Sequence, residues 1–237
     1  KNAYSGLYAF PAVKKFIADR KGKVHIVEMG CGSRAGAHLT TMITVPECTY
    51  EAVDMQAAAI QTCRRKFVPE TNGRLVATRA DATELTIAAG SADIVAVCET
   101  HVTEMGGYAT PEDKKFFSMA HRLLKKGGLL VWGNAIPDAT WKPCFEYLES
   151  IGMKLLEEKD VTKEAIQARE EDLVRVNAYV DQALNKFLGF RIPGFGPSKR
   201  REAEQALKNF YRNPGTNMFD QMVTRQDSYR VVAFQKT

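Results

Sequence analysis

The stretch that decides the fold is residues 24–32, which read VHIVEMGCG. Its first half is a short apolar run typical of a buried strand, and its second half places glycine at residues 30 and 32. Residues 34–43 then have helical spacing. Glycines after a strand let the backbone turn tightly and approach a ligand without an intervening Cβ. The stretch therefore predicts a strand, a ligand-binding turn and a helix.

The same alternation of strands and helices continues over the first two-thirds of the chain. Further strands are predicted at residues 50–53, 74–79, 92–98 and 129–132, with helices at 55–67 and 112–124. Lys125-Lys126-Gly127-Gly128 puts cations and glycines where the second of these helices ends. Alternation of this kind is typical of an α/β domain built on a parallel sheet.

The last third of the chain follows a different pattern. Helical spacing is found at residues 141–150, 162–188 and 202–211, glycine and proline are dense at 190–197, and a strand is predicted at 228–235. We expect one domain over residues 1–237, divided into an N-terminal lid or helix (1–23), a cofactor-binding core (24–160), a helical acceptor cap (161–226) and a last strand (227–237). Such a cap would cover the carboxyl ends of the strands, where open α/β sheets bind ligands. Helices that only pack on the sheet are the alternative.

Composition restricts the function classes. No run of 18 apolar residues exists, and residues 1–7 lack the apolar core of a signal peptide, so we expect a cytoplasmic protein without a membrane span. The net charge of +5 comes from scattered basic residues, which does not favour nucleic acid as a partner. Five cysteines occur without Cys-x-x-Cys spacing, which predicts buried free thiols and no metal site. The expected assembly is a monomer or a homodimer.

Polar residues follow the predicted strands at the edge where ligands bind. Asp54 ends the second strand 22 residues after Gly32, where an acidic residue can hydrogen-bond a ribose diol or cap the next helix. Asp81-Ala82 follows the third strand, where a carboxylate can accept from the exocyclic amine of adenine. Cys98-Glu99-Thr100-His101 follows the fourth strand and places further polar groups beside the first.

This ordered set resembles the class I S-adenosylmethionine-dependent methyltransferases. The shared features are the Glu28-Met29-Gly30-Cys31-Gly32 loop, Asp54, Asp81-Ala82, Ser91-Ala92-Asp93-Ile94-Val95 and Leu124-Lys125-Lys126-Gly127-Gly128, and they cover residues 24–135. The resemblance implies a Rossmann-like, mostly parallel seven-stranded sheet with an antiparallel last strand, and S-adenosyl-L-methionine as cofactor. The predicted cofactor contacts are Glu28, Gly30, Cys31, Gly32, Asp54, Met55, Asp81, Ala82 and Cys98.

A narrower resemblance concerns the acceptor. Residues 95–135, residues 160–164 and the C-terminal stretch from Asp227 are similar to small-molecule O-methyltransferases of polyketide and lipid tailoring, such as the phthiotriol-lipid and macrolide enzymes. Those enzymes have a glutamate followed by a histidine after the fourth strand. We therefore predict Glu99 and His101 as catalytic residues, with His101 as the base that removes a hydroxyl proton near neutral pH. In this chain the two lie two residues apart, a shorter spacing than those relatives have.

Four other functions are considered. An N- or C-methyltransferase of a small metabolite would need no strong base. A nucleic-acid methyltransferase would use an Asn/Asp-Pro-Pro-Tyr/Phe motif, whose place is taken here by residues 98–101. An NAD-dependent dehydrogenase would read Gly-x-Gly-x-x-Gly, but Ala35 holds the last position and Gly36 follows it. A non-catalytic cofactor-binding protein is the alternative outside the enzymes.

Overall fold

Seven strands form one mixed sheet in the computed structural model, which describes residues 10–21, 23–33, 47–100, 110–188 and 197–237. The strands are β1 (His25–Met29), β2 (Thr49–Asp54), β3 (Leu75–Arg79), β4 (Ala92–Cys98), β5 (Leu124–Pro137), β6 (Met153–Asp160) and β7 (Asp227–Lys236). Their order is β3-β2-β1-β4-β5-β7-β6. Neighbours from β3 to β5 run parallel, whereas β6 and β7 are antiparallel. The predicted Rossmann-like α/β fold is confirmed.

Helices connect most of the strands in the described residues. They are α1 (Pro11–Asp19), α2 (Ala57–Lys66), α3 (Pro111–Leu123), α4 (Asp138–Ser150), α5 (Thr162–Glu171), α6 (Leu173–Leu188), α7 (Pro197–Phe210) and α8 (Asn217–Val223), and a 3₁₀ turn spans Val68–Thr71. A capping box starts α3: Thr110 Oγ1 accepts from the Asp113 N–H, and Asp113 Oδ2 accepts from the Thr110 N–H. None of the described helices combines the length and the apolar character that a membrane crossing needs. The helix predicted at residues 34–43 lies outside the described residues.

The main core lies on the sheet and under α3 and α4. Every residue of β4 is buried, which explains why its sequence is apolar at every position except Asp93 and does not alternate between apolar and polar residues. Trp132 of β5 contacts Phe117 of α3 and Trp141 and Phe145 of α4, with ring centroids 5.0, 4.5 and 6.5 Å away. The Trp132 side chain therefore packs inside the core.

The chain divides into two compact units. The first comprises residues 1–160 and 230–237 and contains most of the sheet, and the second comprises residues 161–229. In the second unit Val176, Val180 and Leu184 of α6 form a small core with residues of α7 and Tyr211. A buried ion pair joins Arg212 to Asp227 over 2.8 Å in the same unit.

Several elements differ from the sequence prediction, for example α8, which was not predicted, and α7, which begins at Pro197 instead of residue 202. The strand β6 was not predicted, because only Met153 of it is buried and its Lys and Glu side chains lie towards solvent at the edge of the sheet. The helix predicted at 162–188 is interrupted at Asp172, whose carboxylate binds Arg175 in the first turn of α6. The strand predicted from residue 129 begins at Leu124, and the register with β4 shifts across the intervening residues.

Candidate active site

The predicted site residues that the structure describes lie along one side of the sheet, at the carboxyl ends of β3, β2, β1 and β4. The order of these strands places β1 between β2 and β4, although β4 comes later in the chain. After β1 the chain forms β2 and β3 on one side of this strand, and it later returns to form β4 on the other side. Such a switch in strand order opens a crevice in which α/β proteins bind ligands.

The glycine loop Gly30–Gly32 is held against the end of β2. The N–H groups of Gly30 and Cys31 both donate to the carbonyl of Val53, over 2.8 and 2.9 Å. The N–H of Gly32 donates to Oδ2 of Asp54 over 2.7 Å. All three backbone donors of the turn are thus bound within the protein, so the loop keeps its shape without help from a ligand.

The two glycines of the loop are needed for different reasons. Gly30 has φ of +81°, and a Cβ there would lie 2.1 Å from Oγ1 of Thr100, which is a severe collision. Gly32 has φ of +55°, but a Cβ there would have no atom of the described residues within 4 Å. Gly30 therefore makes room for a neighbouring side chain of the protein. Gly32 borders open space that a ligand can enter.

Asp54 links three segments of the site. Besides Gly32, its carboxylate accepts a hydrogen bond from the N–H of Gln56 over 2.7 Å, at the start of α2. Its carbonyl accepts from the N–H of Ala80 over 3.1 Å, which joins the ends of β2 and β3. The carboxylate therefore shapes both the loop and the start of the helix.

Glu28 is completely buried at the end of β1, and its Oε2 accepts a hydrogen bond from the Tyr50 hydroxyl over 2.9 Å. Tyr50 lies on the neighbouring strand β2, where it pairs in register with Ile26. The tyrosine hydroxyl thus fixes the orientation of a carboxylate that lies just below the glycine loop.

Two thiols meet under the loop. Cys31 and Cys63 of α2 both donate to the carbonyl of Gly32 over 3.4 Å. The hydrogen bond with Cys63, burial and the nearby Glu28 carboxylate raise the pKa of the Cys31 thiol far above its ordinary value. Cys31 is therefore a neutral packing group at physiological pH. All five cysteines are buried and free, as predicted.

Met55, Asp81 and Ala82 lie next to Asp54 at the ends of β2 and β3. Met55 is 61% exposed, although its side chain is large and apolar. Asp81 Oδ1 accepts from the N–H and the hydroxyl of Thr83, over 2.7 and 2.9 Å, which shapes the turn after β3. Ala82 is partly buried against the main core. Together they offer an apolar surface and a carboxylate at the rim of the site.

Past β4 the chain forms a strained turn. Cys98 is buried and pairs with Gly133 of β5. Glu99 is exposed and adopts a left-handed conformation with φ of +48°, and its N–H donates to the carbonyl of Gly133 over 2.9 Å. A non-glycine residue in this region costs energy and is often found at functional sites. His101 lies outside the described residues.

Sequence reasoning missed three residues of this site: Tyr50, Cys63 and Thr100. Each acts through a contact with the loop or Glu28 from a distant segment. The alternation of buried residues in β2 places Tyr50 and Ala52 on one face, and this was the available signal for Tyr50. No sequence pattern indicated the side-chain contacts of Cys63 and Thr100.

A family model described as a methyltransferase domain matches residues 27–132, slightly less than half of the 237 residues. The matched segment runs from β1 into β5 and contains every predicted site residue. No curated protein matches the chain in sequence.

Solved structures share the fold over almost the whole chain. A Galdieria sulphuraria protein provisionally named a sarcosine dimethylglycine methyltransferase has a TM-score of 0.67 at 9% identity, covering 94% of this chain and 83% of its own. The StiE O-MT structure has a TM-score of 0.63 at 15% identity, covering 94% and 72%.

Geranyl diphosphate C-methyltransferase from Streptomyces coelicolor A3(2), in complex with Mg²⁺, geranyl diphosphate and S-adenosyl-L-homocysteine, has a TM-score of 0.61 at 13% identity, covering 95% and 80%. At these identities the similarity establishes the fold. The family match assigns a methyltransferase domain to residues 27–132, and it confirms the predictions of an enzyme of this type and of S-adenosylmethionine as its cofactor.

Proposed function

We propose that the chain transfers the methyl group of S-adenosylmethionine to a hydroxyl group of a small molecule. The observation that carries the proposal is the pairing of Gly32, which borders open space, with the Asp54 carboxylate at the switch point of the sheet. A nucleoside ligand can approach the backbone closely there and find an acceptor for its ribose hydroxyls.

The residues present fit this cofactor. A side chain at Gly32 would fill the open space beside the loop, and Asp54 provides a carboxylate at its border. Met55 would lose its unfavourable exposure under a flat apolar ring, and Asp81-Ala82 would meet the adenine edge. Glu28 would lie near the amino-acid end of the cofactor. When bound, the cofactor supplies an electrophilic methyl carbon on a sulfonium.

On the acceptor side we propose Glu99 and His101 as the catalytic residues. The strained conformation of Glu99 supports a functional role for this turn. His101 follows two residues later in the chain, and a neutral imidazole would accept the hydroxyl proton as the acceptor oxygen attacks. The second unit, residues 161–229, contains the segment that we propose as the acceptor cap.

The acceptor class is proposed to be a polyketide, a lipid or another secondary metabolite. Two features support it: the narrower sequence resemblance to polyketide- and lipid-tailoring O-methyltransferases, and the fold shared with the StiE O-MT structure. The fold shared with a geranyl diphosphate C-methyltransferase favours a second candidate, methylation of a carbon or nitrogen of a small metabolite. The timing of proton removal distinguishes the two reactions. A hydroxyl group must lose its proton to a base as its oxygen attacks, whereas a neutral amine or an electron-rich carbon can attack the methyl group first and lose its proton afterwards.

Calorimetry with S-adenosylmethionine and S-adenosylhomocysteine tests the cofactor half of the proposal. We expect both to bind and NADH not to bind. For the acceptor half, a panel of hydroxylated polyketides and lipids is incubated with the protein and labelled cofactor, and products that gain one methyl group are identified by mass spectrometry. Cofactor binding without transfer to any member of the panel would favour a cofactor-binding protein.

The His101→Ala variant tests the base. Loss of a general base is expected to lower turnover about 10²- to 10⁴-fold while the affinity for S-adenosylhomocysteine stays constant. His25→Ala is the matched control, because the His25 side chain bonds Thr49 and Glu51 within the sheet. Full turnover in His101→Ala would contradict the assigned role.

A further inference from the structure

We infer that Thr100 is a positioning residue for the cofactor loop, which it holds through a hydrogen bond to Gly30. This inference rests on the proposed function, because it concerns the loop that is proposed to bind S-adenosylmethionine. Neither the family match nor the sequence patterns assign a role to Thr100. Its role follows from contacts between the end of β4 and the end of β1.

The contact is both polar and steric. Thr100 Oγ1 donates to the carbonyl of Gly30 over 3.2 Å. A Cβ on Gly30 would lie 2.1, 2.4 and 2.6 Å from Oγ1, Cγ2 and Cβ of the threonine. The threonine side chain therefore occupies the volume that a side chain on residue 30 would need. Glycine at 30 and threonine at 100 form a matched pair across two adjacent strands.

The hydrogen bond from Thr100 to Gly30 adds to the contacts that hold the glycine loop in place. The N–H groups of Gly30, Cys31 and Gly32 bind β2, and the carbonyl of Gly32 accepts from two thiols. Thr100 is the group that holds the loop from the β4 side, through the carbonyl of Gly30. Because this carbonyl belongs to the Gly30–Cys31 peptide, the bond orients the peptide plane that leads to Gly32.

Thr100 is itself supported by β5. The N–H of Glu99 donates to the Gly133 carbonyl over 2.9 Å, and Asn134 Nδ2 lies 3.5 Å from the carbonyl of Thr100. Asn134 Oδ1 accepts from the N–H of Ala135 over 2.9 Å, which sets the direction of its amide. The position of the hydroxyl is thus determined by a strand that is already fixed in the core. A rigid support of this kind is what pre-organises a binding loop.

The test compares two variants that separate the shape of the Thr100 side chain from its hydroxyl donor. Thr100→Val keeps the shape and removes the donor, whereas Thr100→Ser keeps the donor. Thr224→Val is the matched control, since the Thr224 hydroxyl also donates to a backbone carbonyl, that of Asp220 over 2.8 Å, on an exposed helix end. The affinity for S-adenosylhomocysteine is measured by calorimetry, and the urea midpoint of each variant is measured beside it.

We expect Thr100→Val to weaken S-adenosylhomocysteine binding about 2- to 10-fold, the range for one hydrogen bond, with a nearly unchanged urea midpoint. Thr100→Ser and Thr224→Val should bind as the unaltered chain does. Equal affinity in Thr100→Val, or failure of Thr100→Ser to restore affinity, would overturn the inference. Absence of binding by the unaltered chain would instead contradict the proposed function.

A double-variant cycle tests the steric contact between Gly30 and Thr100, and it does not depend on ligand binding. Gly30→Ala is expected to destabilise the fold strongly beside Thr100, by collision as well as by its positive φ. In a Thr100→Gly background the collision is absent and only the backbone strain remains. The cost of Gly30→Ala in urea unfolding should therefore be smaller in that background. Additive costs of the two substitutions would show that the residues do not act as a pair.

Discussion

The backbone N–H of Gly32 donates a hydrogen bond to Oδ2 of Asp54 over 2.7 Å. This bond joins a turn after β1 to the last residue of β2, 22 positions later in the chain. A carboxylate that fixes the turn and also borders its open side can contribute to ligand binding twice. It orders the loop in advance, and its charge and lone pairs are available to hydroxyl groups that approach the same edge.

Asp54→Ala should therefore weaken S-adenosylmethionine binding more than the loss of one ligand contact alone. Hydrogen bonds to a charged group contribute about 1.5–3 kcal/mol, which corresponds to roughly 10- to 100-fold in the dissociation constant. Calorimetry measures the change. Asp19→Ala is the control, because Asp19 forms an exposed ion pair with Lys15 within α1. An unchanged dissociation constant in Asp54→Ala would refute the ribose role.

A methyl group at Gly32 should separate ligand binding from folding. Gly32→Ala puts a Cβ at φ of +55° where no atom of the described part of the chain lies within 4 Å, so its cost in folding is mainly backbone strain, about 1–2 kcal/mol. Gly73 is the matched control, with φ of +78° and equally open surroundings but far from the loop in sequence.

Both alanine variants should lower the urea midpoint by similar amounts. Only Gly32→Ala should weaken S-adenosylhomocysteine binding in addition, because the new methyl group occupies the side that the ligand approaches. Equal affinities in the two variants would show that the ligand does not contact the backbone at Gly32.

The central strands could be predicted from sequence because their burial requires a local pattern of apolar residues. Strand β4 is buried on both faces, and six of its seven residues are apolar, Asp93 being the exception. Strand β6 lies at the edge of the sheet, and five of its eight residues are Lys, Glu or Asp, so hydrophobicity does not distinguish it from a loop. Strands that are half solvated at an edge are therefore the ones that sequence patterns miss.

The same distinction holds for the site. Asp54 was found because strand ends and glycine turns have a regular spacing in α/β units. The roles of Thr100, Tyr50 and Cys63 depend on which side chains meet across strands and helices, and that is set by the register β1 shares with β2 and β4. Glu99 was predicted from the resemblance to small-molecule O-methyltransferases, whereas its left-handed backbone conformation is a feature of the three-dimensional structure.

The second unit should depend strongly on one buried ion pair. Arg212 donates to Asp227 over 2.8 Å and to the carbonyl of Met218 over 3.0 Å, and both side chains are at most 10% exposed. Asp227→Asn leaves a buried guanidinium without its counter-charge, which is expected to cost about 3–5 kcal/mol. Urea unfolding followed by circular dichroism measures the loss.

Arg175→Met provides the comparison for this ion pair. Arg175 pairs with Asp172 at the surface, where its side chain is 80% exposed, and exposed pairs contribute about 0–1 kcal/mol. If Asp227→Asn costs no more than Arg175→Met, the buried pair is not a main support of the second unit.

Stability should also depend on His121 at mildly acidic pH. Burial, together with the nearby Lys236 ammonium, lowers the pKa of this imidazole in the folded chain below its ordinary value of about 6.5. The unfolded chain therefore binds the proton more readily, and its population grows as the pH falls through about 6.5, until the folded pKa is passed. His121→Gln removes this contribution. Urea unfolding from pH 8 to pH 5 should show a smaller loss of stability in His121→Gln than in the unaltered chain, and parallel curves for the two proteins would contradict the assignment.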